Sequence, residues 1–249
     1  MNKKAIQELA LEILIGAVVF IIVLGISTQA NAELAKKQTK EICRASIIKV
    51  ETFKEAASGI AKSAINCPMQ YVTVKKKDNE NAAKRKIANI MEDAWAVTNK
   101  GESRTFQERL WQGGTVHCLL YARIDFEKNF PLAKSNFEQF SSWLTANEPI
   151  GSPTSYFEYM SYNGKRAFAI IGGDEQNLES VDYIDPSKSY YVIYWASMKD
   201  EDIIRVANLR ENLNDLITLI QSEDNKKIPV IMAVPENLIG SVGCDSFLN

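Results

Sequence analysis

The chain has 249 residues and a nearly balanced charge, with 29 Lys and Arg against 31 Asp and Glu. A balanced charge produces no overall field that favours nucleic acid or an anionic membrane surface, so we expect no nucleic-acid partner. Once the apolar N-terminal segment is set aside, about 200 residues remain, which is enough for one domain with its own hydrophobic core.

The N-terminal segment, residues 1–32, is predicted to be a membrane anchor or a signal segment. Residues 13–26 are uninterruptedly apolar, which is shorter than the roughly 20 residues that span a bilayer. The span extends to residues 9–27 if Glu12 lies at the membrane edge, and these residues would then contact membrane lipid. The small residues at 30–32 suit signal peptidase, but we favour retention because helix-forming sequence continues without Pro or Gly.

Residues 33–66 are predicted to form a membrane-proximal amphipathic helix. Apolar and small residues recur there at steps of three and four: Ile42, Ser46, Val50, Phe53, Ala57, Ile60 and Ala64. A straight helix would separate Cys43 from Cys67 by up to roughly 30 Å, whereas the Cα atoms of a disulfide lie within about 7 Å. A direct bridge would therefore need a break, for which Gly59 is the cheapest position, and otherwise each cysteine pairs with the downstream domain.

Residues 67–249 are predicted to form an exterior α+β domain, a mixed sheet with several helices. Alternating or continuous apolar runs predict strands at 70–76, 115–126, 165–171, 189–196 and 228–235. Helical periodicity and capping signals predict helices at 78–101, 135–144, 154–160 and 200–221. Residues 172–188 are predicted to be a loop. Five strands without a strict βαβ rhythm are typical of the α+β class.

Several short segments, in this order behind one apolar span, resemble a group of uncharacterised single-span membrane proteins of archaea. They are "INCPMQYVTVK", "MEDAWAVTNKG", "VHCLLYARIDF", "FSSWLTANEPIGSPTSYFEYM", "YIDPSKSYYVIYW" and "PENLIGSVGCDSF". The resemblance implies a topology and no reaction. Members of the group often have cysteines where this chain has Ala94 and Tyr121, so the resemblance implies that one bridge is missing here and that the remaining cysteines form two.

The four cysteines, Cys43, Cys67, Cys118 and Cys244, permit three pairings, and their intervals of 24, 51 and 126 positions do not match a zinc site. Reduced cysteines in a cytoplasmic core are the alternative. We favour two bridges and hence a single-pass cell-membrane protein whose C-terminal domain lies outside. We predict bonds from Cys43 to Cys244 and from Cys67 to Cys118, because the second pair would meet if the first two strands were neighbours with the intervening helix as crossover.

No residue pattern identifies a reaction, so no catalytic, cofactor-binding or metal site is predicted. His117 adjoins Cys118, but neighbours on a strand point to opposite faces. The "GGDE" at 172–175 resembles the signature loop of diguanylate cyclases, yet Gln176 replaces the family's Phe, and a polar turn also explains these residues. Six carboxylates, which no spacing pairs, are interpreted as solvated loop charges: Asp125, Glu127, Asp174, Glu175, Asp182 and Asp185.

The remaining clusters suit a binding role or an ordinary surface. Five aromatic residues suit either a core or a partner surface: Trp143, Tyr156, Phe157, Tyr159 and Tyr162. The basic residues at 75–77 and 84–86 are interpreted as a solvated face. We therefore expect a noncatalytic, membrane-anchored exterior domain with an interaction or structural role in the cell envelope, with another envelope protein as the expected partner. One alternative is an exterior hydrolase that uses loop carboxylates brought together by the fold. The other is a pilin-like subunit, because Lys, Gln and Glu precede the apolar helix.

Overall fold

A computed structural model describes residues 37–50, 65–102, 117–162, 165–173, 178–196, 229–244 and 246–248. The chain divides into two compact units, Met1–Thr39 and Lys40–Asn249, and nearly all of the described residues belong to the second. The predicted anchor at 9–27 and the predicted helix at 200–221 lie outside the described residues. Within the described ranges, no helix is both long and apolar enough to cross a membrane.

Four helices and nine strands make up the described part of the chain. The helices are α1 (37–50), α2 (Glu80–Val97), α3 (Phe140–Ala146) and α4 (Tyr156–Tyr159). The strands are β1 (Gln70–Val74), β2 (His117–Phe126), β3 (Ser161–Tyr162), β4 (Lys165–Arg166), β5 (Phe168–Gly173), β6 (Leu178–Val181), β7 (Tyr190–Ala196), β8 (Pro229–Pro235) and β9 (Ser246–Leu248). Three 3₁₀ turns lie at Asn99–Gly101, Lys134–Phe137 and Glu236–Ser241.

Seven strands form one mixed sheet in the order β1-β2-β7-β8-β5-β6, with β9 also paired to β2. The pairs β1/β2, β2/β9 and β5/β8 are parallel, and the pairs β2/β7, β7/β8 and β5/β6 are antiparallel. The short strands β3 and β4 form a separate hairpin. The predicted α+β class with a mixed sheet and several helices is therefore confirmed.

Helix α2 is the crossover between the parallel neighbours β1 and β2, and it packs against the sheet. The predicted apolar face of this helix is confirmed, because Ile87, Ile90, Met91, Ala94 and Trp95 are all buried. The Trp95 ring lies 6.4 Å from the Tyr194 ring of β7, centroid to centroid. Strand β8 is buried at every position, as expected of a continuous apolar run in the middle of a sheet.

Both predicted disulfide pairings are wrong: Cys43 bonds Cys67, and Cys118 bonds Cys244. The straight helix assumed for residues 33–66 does not reach Cys67, because residues 65–69 are not helical and the Cα atoms of Cys43 and Cys67 lie 4.2 Å apart. The strands β1 and β2 are neighbours as predicted, but β9 occupies the edge of β2 beside Cys118, which pairs in register with Phe247. The C-terminal tail therefore brings Cys244 within 5.8 Å of Cys118, Cα to Cα.

The first disulfide also determines which face of α1 is buried. Cys43, Ser46, Ile47 and Val50 are buried, whereas Ile42, which was predicted on the apolar face, is 46% exposed. The Ser46 hydroxyl accepts a hydrogen bond from the Asn66 N–H at 3.0 Å, beside the bridge. Ser46 and Val50 are buried as predicted, and because Cys43 and Ile47 replace Ile42 on the buried face, the helix is rotated by about half a residue step from the predicted orientation.

The predicted loop at 172–188 contains a strand that the sequence pattern missed. Strand β6 pairs with β5 in antiparallel fashion and covers residues 178–181. Gly172 belongs to β5, and a Cβ atom there would lie 2.6 Å from Val181 Cγ1. This glycine of the "GGDE" run is therefore explained by close packing against the edge strand.

Candidate functional site

A polar cleft of about 460 Å³ lies between the first turns of α2, the 3₁₀ turn Lys134–Phe137 and helix α3. Its volume is within the range of small-molecule sites in proteins. The residues that line it are predominantly polar: Glu80, Lys84, Ser135, Asn136, Glu138, Gln139, Ser142 and Trp143. We consider it the candidate functional site because it gathers side chains from three separate elements.

The wall that α2 contributes contains an ion pair between Glu80 and Lys84. Helix α2 begins there because the Asn79 side chain accepts a hydrogen bond from the Ala82 N–H at 2.9 Å. One turn later Lys84 is only 5% exposed, and its ammonium donates to Glu80 Oε1 at 2.7 Å. This hydrogen bond is the main reason that the pKa of Glu80 lies below its ordinary value of 4.5.

The 3₁₀ turn Lys134–Phe137 supplies the second wall, and its position is fixed by both its backbone and its aromatic end. Asn136 accepts a hydrogen bond from the Ala133 N–H at 3.0 Å and donates weakly to Glu80 Oε2 at 3.5 Å. The Phe137 ring is buried, with its centroid 5.8 Å from that of Phe126. The turn is therefore anchored to the core while Ser135 and Asn136 line the cleft.

The third wall is the start of α3, where the backbone of Gln139 is left-handed with φ of 53°. This conformation is unfavourable for residues other than Gly, Asn and Asp, so the neighbouring contacts must hold it. Asp182 provides these contacts. Its side chain accepts a hydrogen bond from the Ser141 N–H at 2.7 Å, and its backbone carbonyl accepts one from the Phe140 N–H at 3.2 Å.

Four exposed side chains at the mouth of the cleft have unused hydrogen-bonding groups. Among the described residues, none of the following side chains makes a hydrogen bond or an ion pair: Ser135, Glu138, Gln139 and Ser142. Together they offer hydroxyl, amide and carboxylate groups to a ligand. The mouth can therefore donate and accept hydrogen bonds, whereas the ion pair in the wall is already satisfied.

The apolar part of the cleft is the half-buried Trp143. Its indole N–H donates to the Asn81 side chain at 3.0 Å, and its ring stacks near Phe140 and Tyr156 with centroid distances of 5.9 Å in each case. Tyr156 is buried and donates its hydroxyl to Asn89, and burial raises the pKa of this phenol. Of the five predicted aromatic residues, only Trp143 lines the cleft, and all five pack in or against the core.

Comparison of the chain with protein-family models, with curated proteins and with solved structures gave no match. The disulfides and the cleft are therefore the structural features that bear on function.

The carboxylates considered in the sequence each maintain local structure where they are described. Asp125 accepts hydrogen bonds from Arg123 at 3.0 Å and from the Ser189 hydroxyl at 2.6 Å. Glu127 accepts from the Lys76 N–H at 2.7 Å. Asp182 caps α3 through its contacts with Phe140 and Ser141.

Asp185 accepts hydrogen bonds from the N–H and hydroxyl of Ser187 within its own turn. Burial alone would raise the pKa of Asp185. The hydrogen bonds from Ser187 and the nearby lysines outweigh this effect, so the pKa lies below its ordinary value. Glu127 and Asp185 line a second cleft of about 400 Å³. Asp174 and Glu175 lie outside the described residues.

The structure agrees with the rejection of a Cys118–His117 pair and changes the interpretation of part of the basic cluster. Cys118 is bonded to Cys244, so it cannot act as a nucleophile with His117, the first residue of β2. The basic residues at 84–86 do not form a solvated face, because Lys84 is buried and Arg85 donates to the Glu148 carbonyl at 2.9 Å. No cluster of three or more His, Cys, Asp or Glu residues suited to a metal ion occurs in the part of the chain that the structure describes.

Sequence reasoning missed the cleft as a site. Its α2 residues and its 134–143 residues are separated by about fifty positions, and each set alone has the composition of an ordinary polar surface. The one available signal was a glutamate four residues before a lysine at the beginning of a predicted helix, which indicates an ion pair. That signal does not indicate burial, which depends on the distant 3₁₀ turn.

Proposed function

We propose that the protein is a membrane-anchored exterior domain with a noncatalytic interaction role in the cell envelope. The observation that supports this most directly is the pair of disulfides. Disulfides persist in oxidising compartments and are rare in the cytosol, so a domain in which all four cysteines are bonded is suited to the exterior. Residues 9–27 would supply the anchor, as in the archaeal single-span proteins that the chain resembles.

The positions of the bridges suit a domain that must remain folded outside the cell. Cys43–Cys67 joins α1, which follows the proposed anchor, to the residues immediately before β1. Cys118–Cys244 joins the C-terminal tail to β2, the strand beside the edge of the sheet. Both ends of the domain are thereby fastened to the core, and the polar cleft is the surface through which we propose that the domain binds an envelope component.

A topology experiment on the full chain in intact cells tests this proposal. Free thiols are blocked with N-ethylmaleimide, the protein is then reduced, and the newly released thiols are counted by mass spectrometry. We expect four released thiols, retention in the membrane pellet after carbonate extraction, and cleavage of the domain by added protease. Four thiols blocked before reduction, or full protection from protease in cells with a permeable envelope, would contradict the exterior location.

Determination of the mature N-terminus distinguishes the anchored form from a secreted form and from a pilin-like subunit. An intact segment 1–32 supports the anchor. A chain that begins at Glu33 and is recovered in the soluble fraction would contradict it, and cleavage before Gln7 would indicate a pilin-like subunit instead.

A further inference from the structure

We propose that the cleft formed by α2, the 3₁₀ turn Lys134–Phe137 and α3 binds a neutral saccharide. This inference rests on the proposed exterior binding role and names the ligand class of the same cleft. It is carried by two properties of the lining residues, which are their charge balance and their unused hydrogen-bonding groups.

The charge of the lining disfavours an anionic ligand. Lys84 is the one basic residue among those that line the cleft in the described structure, and it is 5% exposed with its ammonium on Glu80 at 2.7 Å. An anion could bind Lys84 only by competing with Glu80, and it would also approach the exposed carboxylate of Glu138. Arg85, on the same helix, donates to the Glu148 carbonyl and lies 6.0 Å from the centre of the Trp143 ring, outside the lining of the cleft.

A strongly cationic ligand is also poorly matched. Of the two glutamates in the lining, Glu80 is already compensated by Lys84, so a single uncompensated carboxylate remains to attract a cation. Charged ligands must lose hydration on binding, and they regain that cost only when well-placed opposite charges meet them. A neutral ligand avoids this cost and can still use Glu138 as a strong hydrogen-bond acceptor.

The available hydrogen-bonding groups match a polyhydroxylated ligand. Ser135, Gln139 and Ser142 provide both donors and acceptors, and Glu138 provides acceptors. Each sugar hydroxyl likewise donates one hydrogen bond and accepts others, so it can bind any of these groups. Trp143 bounds this group of side chains, and its ring is held in place by Phe140, Tyr156 and the Arg85 guanidinium.

The backbone of Gln139 permits a binding variant that does not impair folding. Its φ of 53° lies in the left-handed region, which glycine adopts without the steric cost of a Cβ atom. Gln139→Gly therefore removes the amide from the cleft while making the local backbone more favourable. Asn129→Gly is the matched control, because Asn129 has φ of 58° and lines the second cleft instead.

The test uses the oxidised full chain in detergent micelles on an array of immobilised oligosaccharides. The array contains neutral chains of glucose, mannose, galactose and N-acetylglucosamine, with uronic acid and amino sugar chains for comparison. Affinity for the retained sugars is then measured by ligand-observed NMR with the soluble oligosaccharide. We expect retention of at least one neutral class and no preference for the acidic or amino chains.

We expect Gln139→Gly and Ser142→Ala each to weaken binding by about fivefold, the effect of losing one neutral hydrogen bond, and Asn129→Gly to leave it unchanged. The melting temperature of Gln139→Gly should equal or exceed that of the wild type, which separates lost binding from lost folding. The proposal is overturned if no neutral saccharide is retained, if only charged saccharides are retained, or if both cleft variants bind as the wild type does. Such a result would leave the thiol and topology tests of the exterior role unaffected.

Discussion

Lys84 is a charged side chain that the fold largely removes from water. An ammonium group loses hydration when it is buried, and this cost is tolerated only where a partner compensates it. Glu80 provides that partner at 2.7 Å from one turn earlier on α2, and the carboxylate itself remains partly exposed. The aliphatic stem of the lysine can meanwhile pack against apolar neighbours. The pair is thus anchored by α2 but depends on the residues that cover it.

The Glu80–Lys84 pair gives a pH dependence whose sign follows from the lowered pKa of Glu80. The contribution of the ionised Glu80 is fully present above its unfolded pKa, near the ordinary 4.5, and it is lost as the pH falls through the lower folded value. We expect Glu80→Gln to reduce the free energy of unfolding by about 1 kcal/mol at pH 7, because the neutral amide compensates the ammonium poorly. This difference from the wild type should diminish as the solution is acidified.

Urea unfolding of the full chain in detergent, followed by circular dichroism from pH 7 down to pH 3, measures this difference. The Lys84→Met background is the control, because Glu80→Gln should lose its pH-dependent effect there. A difference between wild type and Glu80→Gln that stays constant across the range would show that the ion pair does not stabilise the fold.

The cleft was predictable from the sequence only in part. The spacing of Glu80 and Lys84 indicates a pair on one helix face, and it does so without any knowledge of the fold. The left-handed Gln139 has no sequence signal, because glutamine is not a residue type that favours this conformation. Its conformation follows from the contacts with Asp182, a residue that sequence reasoning interpreted as a solvated charge.

At the scale of elements, the end of α2 is packed tightly against the start of β8. Gly101 follows the helix with φ of +81°, and a Cβ atom there would overlap Pro229 and lie 2.7 Å from Trp95 Cη2. The glycine therefore meets two requirements at once, a left-handed backbone and close approach to a neighbouring strand.

Gly101→Ala and Gly151→Ala form a matched pair that separates these two requirements. Gly151 also has a positive φ, +80°, but a Cβ atom there meets nothing within 4 Å. We expect Gly151→Ala to cost roughly 1–2 kcal/mol of unfolding free energy from the backbone alone. Gly101→Ala should cost a further 1–3 kcal/mol, roughly, because the core must shift to admit the methyl group.

Urea denaturation of both variants measures these losses. The unfolding free energies are compared at the transition midpoint, after the dependence of the free energy on urea concentration has been shown to be equal in the variants. Equal losses of unfolding free energy in the two variants would mean that Pro229 and Trp95 move aside at little cost. The packing at this junction would then not be tight.

The longer elements were predictable from periodicity, and the shortest were not. Strands β7 and β8 have long apolar runs, and α2 has a buried face that repeats at helical spacing, so local pattern alone identified them. Strand β9 has three residues and β6 has four, too few for a periodic signal. Each is a strand because a longer neighbour offers it backbone hydrogen bonds, which is information about tertiary structure.

At the scale of the whole molecule, the two disulfides fasten the two ends of the domain in different ways. Cys43–Cys67 closes a local loop of 24 positions, whereas Cys118–Cys244 closes a loop of 126 that includes most of the sheet. Lys40 adds a polar link from α1 to α2 through its ion pair with Asp93 at 2.5 Å. The tail strand β9 pairs through only three residues, so its attachment relies more heavily on its disulfide.

The missed pairing shows how one unseen strand can alter a global inference. The sequence argument correctly placed β1 beside β2, but it assumed that the edge next to Cys118 was open to Cys67. Strand β9 fills that edge, with Phe247 in register with Cys118. Cys67, just before β1, instead lies against α1, where it bonds Cys43.

Removal of either disulfide is expected to destabilise the domain, and the longer loop should matter more. In the chain-entropy description, closing 24 positions restricts the unfolded chain by roughly 3.5 kcal/mol and closing 126 by roughly 5 kcal/mol. We therefore expect the Cys118→Ala/Cys244→Ala double variant to be less stable than Cys43→Ala/Cys67→Ala by roughly 1–2 kcal/mol. Double variants avoid the unpaired thiols that could otherwise form new bridges.

Nonreducing peptide mapping of the full chain from cells tests the connectivity, and urea unfolding of the two double variants tests the ranking. Limited proteolysis adds a local measure: loss of Cys118–Cys244 should expose the C-terminal residues after Val242, because β9 retains only a three-residue pairing with β2. Loss of Cys43–Cys67 should instead expose residues near α1 and leave the tail protected. A peptide that links Cys43 to Cys244, or Cys67 to Cys118, would mean that the C-terminal tail does not lie beside β2. The assignment of β9 to that edge would then be wrong, and so would the predicted order of stabilities.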